Sequence, residues 1–332
     1  MGKAGKNLKN ALLSQQFRLK AKQKLSHAAQ VAEQKSSRNS KGHYPSKASK
    51  GKEKTAASGS SSRPTIPFNP WDKILLIGEG NFSFARSLIQ GPPTPLLSLP
   101  PNNITATAYD VEDECYAKYP ESSGIVSFLR SQGVQVIFGV DGTRLEKHPK
   151  LKGRRWDRIV WNFPHAGKGI ADQDRNILSN QLLVLGFLRS AAKMLQPGPS
   201  PSTLAFKKNK NTEDEDGDED NVSVEPPDTD AAPFLLPTNT VKTRGTTLIT
   251  LRNVAPYTQW DVPRLAKNPP LLKTGTNPPN PHYALLRSFR FHRDIWKGYE
   301  HRMTKGERAH GTGTTGEGGE DRTWEFYLKD QE

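Results

Sequence analysis

The chain has 332 residues, with 48 basic against 34 acidic side chains, and its formal net charge is +14. No apolar run approaches the roughly 18–20 residues of a membrane helix, and the first residues lack the apolar core of a secretory signal. The single cysteine, Cys115, excludes an intramolecular disulfide framework and a cysteine zinc site, which suits a reducing compartment. The composition therefore predicts no membrane and no metal, and a basic balance favours a polyanionic partner, most often nucleic acid.

The charge is unevenly distributed along the chain. Residues 1–65 hold 15 basic side chains and only two acidic ones, Glu33 and Glu53, whereas residues 211–240 hold ten acids and no Lys or Arg. Both stretches have too little apolar surface to offset their ordering entropy. We therefore expect a disordered basic arm over 1–65, a domain over 66–332, and a disordered acidic insert over 211–240 within that domain.

The role of the arm stays open at this point. It suits a solubilising or nuclear-import tail as well as direct contact with RNA, and residues 8–31 could become helical on a partner. A mitochondrial presequence is a third interpretation, because the first 32 residues contain no acid, but the excess of Lys over Arg disfavours it.

Short apolar runs alternate with helical patterns from Trp71 onward. The run Ile74 to Ile77 ends in Gly78-Glu79-Gly80 and predicts a buried parallel strand entering a tight turn. The further predicted strands cover 104–109, 134–138, 156–163, 246–251, 285–291 and 324–328. The predicted helices cover 82–90, 122–131 and 176–195. This alternation indicates right-handed crossovers and a mostly parallel open α/β sheet.

Ligands of such sheets bind outside the carboxyl ends of the strands, so the residues at these ends are the candidate site. At the first end, Gly78 permits a sharp turn and Gly80 lets a ligand approach the backbone. We expect Glu79 and Asn81 to line the same turn, and the following helix to offer unpaired N–H groups to an anion. A dinucleotide fingerprint would have glycine at position 83, where this chain has Ser83. That difference weakens a nicotinamide-dependent oxidoreductase as an alternative.

Acidic residues follow the next two strands. Asp110 can accept the ribose hydroxyls of an adenosine, but an acid there also suits a helix N-cap, and Glu112, Asp113 and Glu114 suit a first helical turn. Asp141 follows the third strand, where methyltransferases commonly place an acid facing the adenine amino group. A capping role for Asp141 is an equal alternative.

The fourth strand ends in Asn162-Phe163-Pro164-His165. Methyltransferases that act on planar nitrogens place a related loop there, in which Asn accepts the target N–H and an aromatic ring stacks on the base. His165 adds a group that can accept a proton near neutral pH. A target nitrogen that loses a proton before methylation, such as N3 of uracil, suits this loop. A turn with a satisfied histidine is the alternative.

The strings ILLIGEGNFSF, TATAYD, FGVDGTRL and WDRIVWNFPHAG resemble the Rossmann-like domain of the fungal 25S rRNA uridine-N3 methyltransferases, which is shared with ferredoxin-fold anticodon-binding-domain proteins. The resemblance spans roughly residues 71–304. It implies a class I methyltransferase fold, S-adenosylmethionine as donor and an rRNA uridine as substrate. By the resemblance, Gly78, Glu79, Gly80 and Asn81 line the methionine end of the donor, Asp110 takes the ribose and Asp141 the adenine. The four residues 162–165 then meet the uracil.

The resemblance also includes the segment KGYEHRMT over residues 297–304. There Tyr299, His301 and Arg302 suit contact with RNA, through stacking on a base and pairing with a phosphate. Equally, Tyr299 could pack in the core while Arg302 pairs with Glu300 or Glu307.

These observations predict methylation of uridine N3 in large-subunit rRNA during ribosome biogenesis. The expected partner is rRNA or a pre-ribosomal particle, and the expected location is the nucleus and nucleolus. A non-catalytic, RNA-binding assembly factor on a methyltransferase-like fold is the alternative function.

Overall fold

A single seven-stranded sheet organises the described part of the chain. The computed structural model describes residues 12–14, 17, 64–201, 243–270, 279–304 and 319–330. The strands are β1 (Ile74–Leu76), β2 (Ile104–Thr107), β3 (Gln135–Ile137), β4 (Arg158–Asn162), β5 (Thr246–Arg252), β6 (Tyr283–Arg290) and β7 (Asp321–Leu328). Their order across the sheet is β3-β2-β1-β4-β5-β7-β6.

The first five strands pair in parallel, and β7 runs antiparallel to both β5 and β6. The predicted mostly parallel α/β sheet with late strands near the C-terminal end is therefore confirmed. Strand order reverses between β1 and β4, which is the switch point where open α/β sheets bind ligands.

Five α-helices connect the strands of the described chain. They are α1 (Ser83–Gln90), α2 (Glu112–Lys118), α3 (Ser122–Ser131), α4 (Gln173–Ala192) and α5 (Val262–Lys267). Helix α4 begins three residues before its predicted start, because the Asp172 carboxylate accepts the Arg175 N–H and caps the helix there. The sequence prediction omitted α2 and α5, although it placed the acids Glu112, Asp113 and Glu114 in a first turn, where α2 has them.

The two faces of the sheet are buried by two separate clusters. Leu75 and Ile77 lie in the cluster that includes α4, whereas Ile74 and Leu76 lie in the cluster that includes α1 and α3. This alternation is the period of two that a strand buried on both faces requires.

A short piece of the basic arm also has a described position. Residues 12–14 and 17 are helical, and Leu12 is only 1% exposed within the α4-side cluster. The rest of the arm as far as residue 63, and the predicted acidic insert, lie outside the described residues. None of the described helices is long and apolar enough to span a bilayer.

Candidate active site

An open cavity of about 790 Å³ lies at the carboxyl ends of β1, β2, β3 and β4. Every residue that the sequence analysis assigned to the site lines it: Gly78, Glu79, Gly80, Asn81, Asp110, Asp141, Asn162, Phe163, Pro164, His165, Tyr299, His301 and Arg302. Lys118, Tyr119, Trp161 and Lys168 also line the cavity and were not predicted. The fold thus brings all the predicted positions to one place.

The turn after β1 depends on glycine at position 78. Gly78 has a φ of 65°, and a Cβ built there would lie 2.9 Å from Trp161 Nε1. A side chain at this position would therefore be strained in its backbone and would collide with the indole. The glycine keeps the turn tight against the floor of the cavity, as the sequence predicted.

The start of helix α1 differs from expectation. Asn81 Oδ1 accepts the Ser83 N–H at 3.1 Å, and Glu79 Oε2 accepts the Ala85 N–H at 3.2 Å. The prediction that this helix offers unpaired N–H groups to an anion is wrong for these two groups, because side chains of the turn itself bind them. A pyrophosphate therefore lacks its usual partners here, which argues against a nicotinamide dinucleotide.

Glu79 has a carboxyl group whose pKa lies near neutral pH. Burial raises the pKa of its carboxyl from 4.5 to about 7, and the hydrogen bond from Ala85 offsets only part of that effect. The carboxyl lines the cavity, so an incoming cationic group would favour its charged form.

The carboxylate that follows β2 is held by a lysine. Lys118 Nζ lies 2.5 Å from Asp110 Oδ2, and both side chains line the cavity. The alternative in which Asp110 caps the next helix is wrong, because Val111 occupies the cap position and no side chain caps the helix. Asp110 precedes α2 and is eight residues from Lys118, so helical spacing does not indicate this pair.

Asp141 makes a local turn near the start of the connection between β3 and β4. Its Oδ1 accepts the Thr143 N–H at 2.8 Å and the Thr143 hydroxyl at 2.7 Å, while its Oδ2 lies 4.0 Å from Arg144 Nε. The capping alternative is wrong for the next helical turn, because Arg144 occupies its N-cap position and no side chain caps it, and the adenine contact stays a prediction.

The end of β4 places Asn162 and Phe163 side by side. Phe163 has a φ of 52°, an unusual value for a bulky residue and one that clusters at functional sites. Its ring packs 4.4 Å from the His301 ring and lies under the Arg293 guanidinium at 4.9 Å. Among the described residues, the Asn162 carboxamide makes no hydrogen bond with a neighbour although it lines the cavity. Asn162 is therefore the side chain here that is open to a ligand.

His165 is exposed at the rim of the cavity, and its Nδ1 atom has a defined hydrogen-bond partner. Its Nδ1 accepts the Gly167 N–H at 2.9 Å. A neutral imidazole that accepts at Nδ1 carries its hydrogen on Nε2, so the ring is a donor at that atom.

Asn180 of helix α4 binds the loop that carries His165. Asn180 Oδ1 accepts the Ala166 N–H at 2.8 Å, and Asn180 Nδ2 donates to the Asn176 carbonyl at 2.9 Å. Asn180 is only 1% exposed. This buried amide fixes the position of the loop relative to the sheet.

The 299–302 segment closes one side of the cavity by packing. The Tyr299 ring meets Phe84 at 5.4 Å and Phe291 at 6.0 Å, and burial raises the pKa of its hydroxyl strongly. Arg302 Nη2 pairs with Glu300 at 2.8 Å and with Glu121 at 2.9 Å. This geometry favours the packing alternative for Tyr299 and Arg302, and RNA contact by the segment stays a prediction.

His301, between these two residues, is a neutral ring. Burial, together with the charges of Arg293 and Arg252, lowers its pKa to about 4. It therefore contributes a ring that packs on Phe163 and no positive charge near neutral pH.

The strand order, the switch-point cavity and the donor-type turn without a phosphate site define a class I, Rossmann-like methyltransferase domain. A family model described as rRNA (uridine-N3-)-methyltransferase BTM5-like matches residues 75–303. The chain belongs to this family.

Several curated proteins are similar to the chain. The 25S rRNA (uridine(2634)-N(3))-methyltransferase of Saccharomyces cerevisiae is 28% identical over 73% of this chain and 69% of its own length. The heavy metal-associated isoprenylated plant protein 41 of Arabidopsis thaliana is 37% identical over 37% of this chain. The human ferredoxin-fold anticodon-binding domain-containing protein 1 is 34% identical over 37% of this chain. The matched part spans 23% of the plant protein and 18% of the human one.

Proposed function

We propose that the protein transfers a methyl group from S-adenosylmethionine to N3 of a uridine in large-subunit rRNA. The observation that carries the proposal is the Asn162 carboxamide, which lines the cavity without a hydrogen bond to a described neighbour. The turn after β1 uses its own side chains to bind N–H groups of α1, which suits a methyl donor that has no phosphate. The family membership supports the reaction type, and the similarity to the yeast 25S rRNA enzyme supports the substrate.

The cavity residues fit the donor in three ways. The tight turn at Gly78, packed against Trp161, places Glu79 and Gly80 in the lining of the cavity. The Asp110 carboxylate, oriented by Lys118, suits a ribose diol, and the Glu79 carboxyl suits an ammonium group. When bound, the donor supplies a methyl group on a positively charged sulfur.

The target base is assigned to the Asn162 to His165 side of the cavity. N3 lies on the Watson–Crick edge of uridine, so the base must be unpaired or flipped out to enter. Asn162 then orients the N3 edge, and the loop fixed by Asn180 presents His165 at the rim. Holding the two reactants in this relation is the chief source of rate.

The proton on N3 must leave during the reaction. Its acceptor is either His165 or solvent. Because Nδ1 of His165 already accepts the Gly167 N–H, we assign the proton to solvent and assign Nε2–H as a donor to a uracil carbonyl oxygen. Loss of the N3 proton places negative charge on the two carbonyl oxygens, and a positioned donor stabilises that charge.

The proposed setting is ribosome biogenesis in the nucleolus, with rRNA or a pre-ribosomal particle as partner. The excess of basic charge in the arm and body suits salt-dependent binding to RNA. A fluorescently tagged full chain should accumulate in nucleoli, and exclusion from the nucleus would contradict this part of the proposal.

A deletion strain tests the reaction. Mass spectrometry of its large-subunit rRNA nucleosides should show loss of N3-methyluridine, and an undiminished amount would overturn the proposal. The competing function is a non-catalytic assembly factor. Such a factor should not bind S-adenosylhomocysteine in calorimetry, whereas the enzyme should bind it.

A further inference from the structure

The connection between β3 and β4 carries a concentrated positive charge. Within residues 144–155, here called the basic segment, six side chains are basic and exposed, and Glu146 is the sole acid. The six are Arg144, Lys147, Lys150, Lys152, Arg154 and Arg155. The net charge of +5 in these 12 residues is close to half of the +11 carried by the chain outside the arm and the acidic insert.

The sheet topology determines how the basic segment runs relative to the cavity. Strands β3 and β4 are parallel, so the connection leaves β3 at the cavity end and enters β4 at the opposite end. The segment must therefore descend the length of the sheet, roughly 15 Å. Asp141 and Thr143, just before it, line the cavity. The basic segment thus begins directly after residues that line the cavity.

Two buried leucines fix the basic segment to the surface of the domain. Leu145 and Leu151 are fully buried in the α4-side cluster, and the Leu145 N–H donates to Ser190 of α4 at 2.7 Å. At the far end, Arg155 donates to the Lys193 and Leu195 carbonyls at 2.6 and 3.2 Å. The exposed cations are therefore carried on an ordered backbone.

The central lysines of the basic segment form no close ion pair with any described residue. Glu146 pairs with Lys193 at 2.9 Å. In the described part of the chain, no carboxylate lies within ion-pair distance of Lys147, Lys150 or Lys152. Three lysines that form no close ion pair among the described residues are suited to a polyanion.

We propose that the basic segment is the surface along which the RNA backbone leaves the cavity. Lysines without acidic partners suit phosphates, which a flexible ammonium group contacts without reading the base. The inference rests on the proposed function, since it assigns the path of the substrate strand that enters the same cavity. Single-stranded RNA flanking an extruded uridine is the partner that fits, because it can follow a narrow path of charge from a buried base.

Two charge-reversed variants of the full chain test the surface. In Lys150→Glu/Lys152→Glu both positions are exposed and flank the buried Leu151. In the control, Lys267→Glu/Lys329→Glu, both positions are exposed near β6 and β7, at the other edge of the sheet, and the change in charge is the same. Circular dichroism melts should match wild type for both.

The readout is binding to a uridine-containing single-stranded RNA of about 20 nucleotides over a range of salt. The Lys150/Lys152 variant should bind on the order of tenfold more weakly, with a salt slope shallower by about 1.4, while the control stays near wild type. If both variants bind equally weakly, the loss comes from the change in net charge alone and the proposal is wrong. Unchanged binding by the Lys150/Lys152 variant would also overturn it. Calorimetry with S-adenosylhomocysteine on the same samples tests the proposed enzymatic function separately from the RNA surface. If the wild type gives no heat of binding, the enzymatic function is contradicted, while the RNA-binding result still stands.

Discussion

Ser83 and Glu300, 217 positions apart in the chain, are joined by two hydrogen bonds through one hydroxyl. Ser83 Oγ donates to the Glu300 carbonyl at 2.9 Å and accepts the Glu300 N–H at 3.0 Å. Ser83 occupies the position where a dinucleotide fingerprint has its third glycine. The serine that departs from that fingerprint therefore holds the 299–302 wall against the start of α1.

Replacing Ser83 by Ala should loosen this wall. The change leaves both backbone groups of Glu300 without their partner, at an expected cost of about 1–3 kcal/mol in the free energy of unfolding. Urea denaturation measures the cost, and methyl-transfer assays should show a matching fall in kcat/KM. A Ser83→Thr variant, which keeps the hydroxyl, is the control. Wild-type stability in Ser83→Ala would contradict this role.

Glu79 should make stability depend on pH. Its carboxyl has a pKa of about 7 in the fold and 4.5 unfolded, so between these values the folded chain keeps a proton that the unfolded chain loses. Stability therefore falls as pH rises from 4.5 to 7. Relative to Glu79→Gln, the wild type should lose roughly 3 kcal/mol across that window. Urea titrations of both proteins at several pH values measure the difference, and a constant difference would show that Glu79 has an ordinary pKa.

Donor affinity should carry the opposite dependence on pH. If an ammonium group of the donor meets Glu79, binding favours the charged carboxylate and releases a proton. The affinity for S-adenosylhomocysteine should then rise as pH increases through 7, and Glu79→Gln should abolish the rise. Calorimetry in buffers of different ionisation enthalpy counts the protons released. Uptake of protons on binding would contradict the assignment.

Asn162→Ala should separate donor binding from methyl transfer. The carboxamide lies at the target side of the cavity, so its loss should lower kcat by about 10²-fold or more through misplacement of the base. Binding of S-adenosylhomocysteine should stay close to wild type. Full activity in this variant would show that the target pocket lies elsewhere.

His165 should act as a donor at Nε2. His165→Ala should lower kcat by roughly 10²-fold, and His165→Gln, whose amide N–H reaches a similar position, should recover part of the loss. If His165 were instead the proton acceptor, Gln would restore nothing, because an amide does not take up a proton near neutral pH. The ratio of the two kcat values therefore distinguishes the two roles.

The strand ends were predictable because apolar runs that end in Gly, Asp or Asn are strong local signals. Ile74 to Ile77 and the run ending at Asn162 led directly to the cavity, and all the site positions chosen on that basis line it. The short helix α5 was not predicted, since it has six residues with Pro263 in its first turn and too few positions to show a period.

Side-chain pairing at the site was less accessible from sequence. The occupation of the α1 N–H groups by Glu79 and Asn81 depends on the exact shape of the turn. The pairing of Arg302 with Glu121 joins residues far apart in the chain, which only the assembled fold brings together. The local sequence pattern therefore predicted which residues line the cavity, and tertiary packing determines which of their polar groups are hydrogen-bonded within the protein.

The central claim is tested most directly by the product of the purified full chain. The protein should be incubated with S-adenosylmethionine labelled in its methyl group and with large-subunit rRNA from the deletion strain, and the rRNA nucleosides should be separated by mass spectrometry. The account predicts label in N3-methyluridine, and none with Asn162→Ala. Label in a different nucleoside, or no label despite measurable binding of S-adenosylhomocysteine, would contradict it.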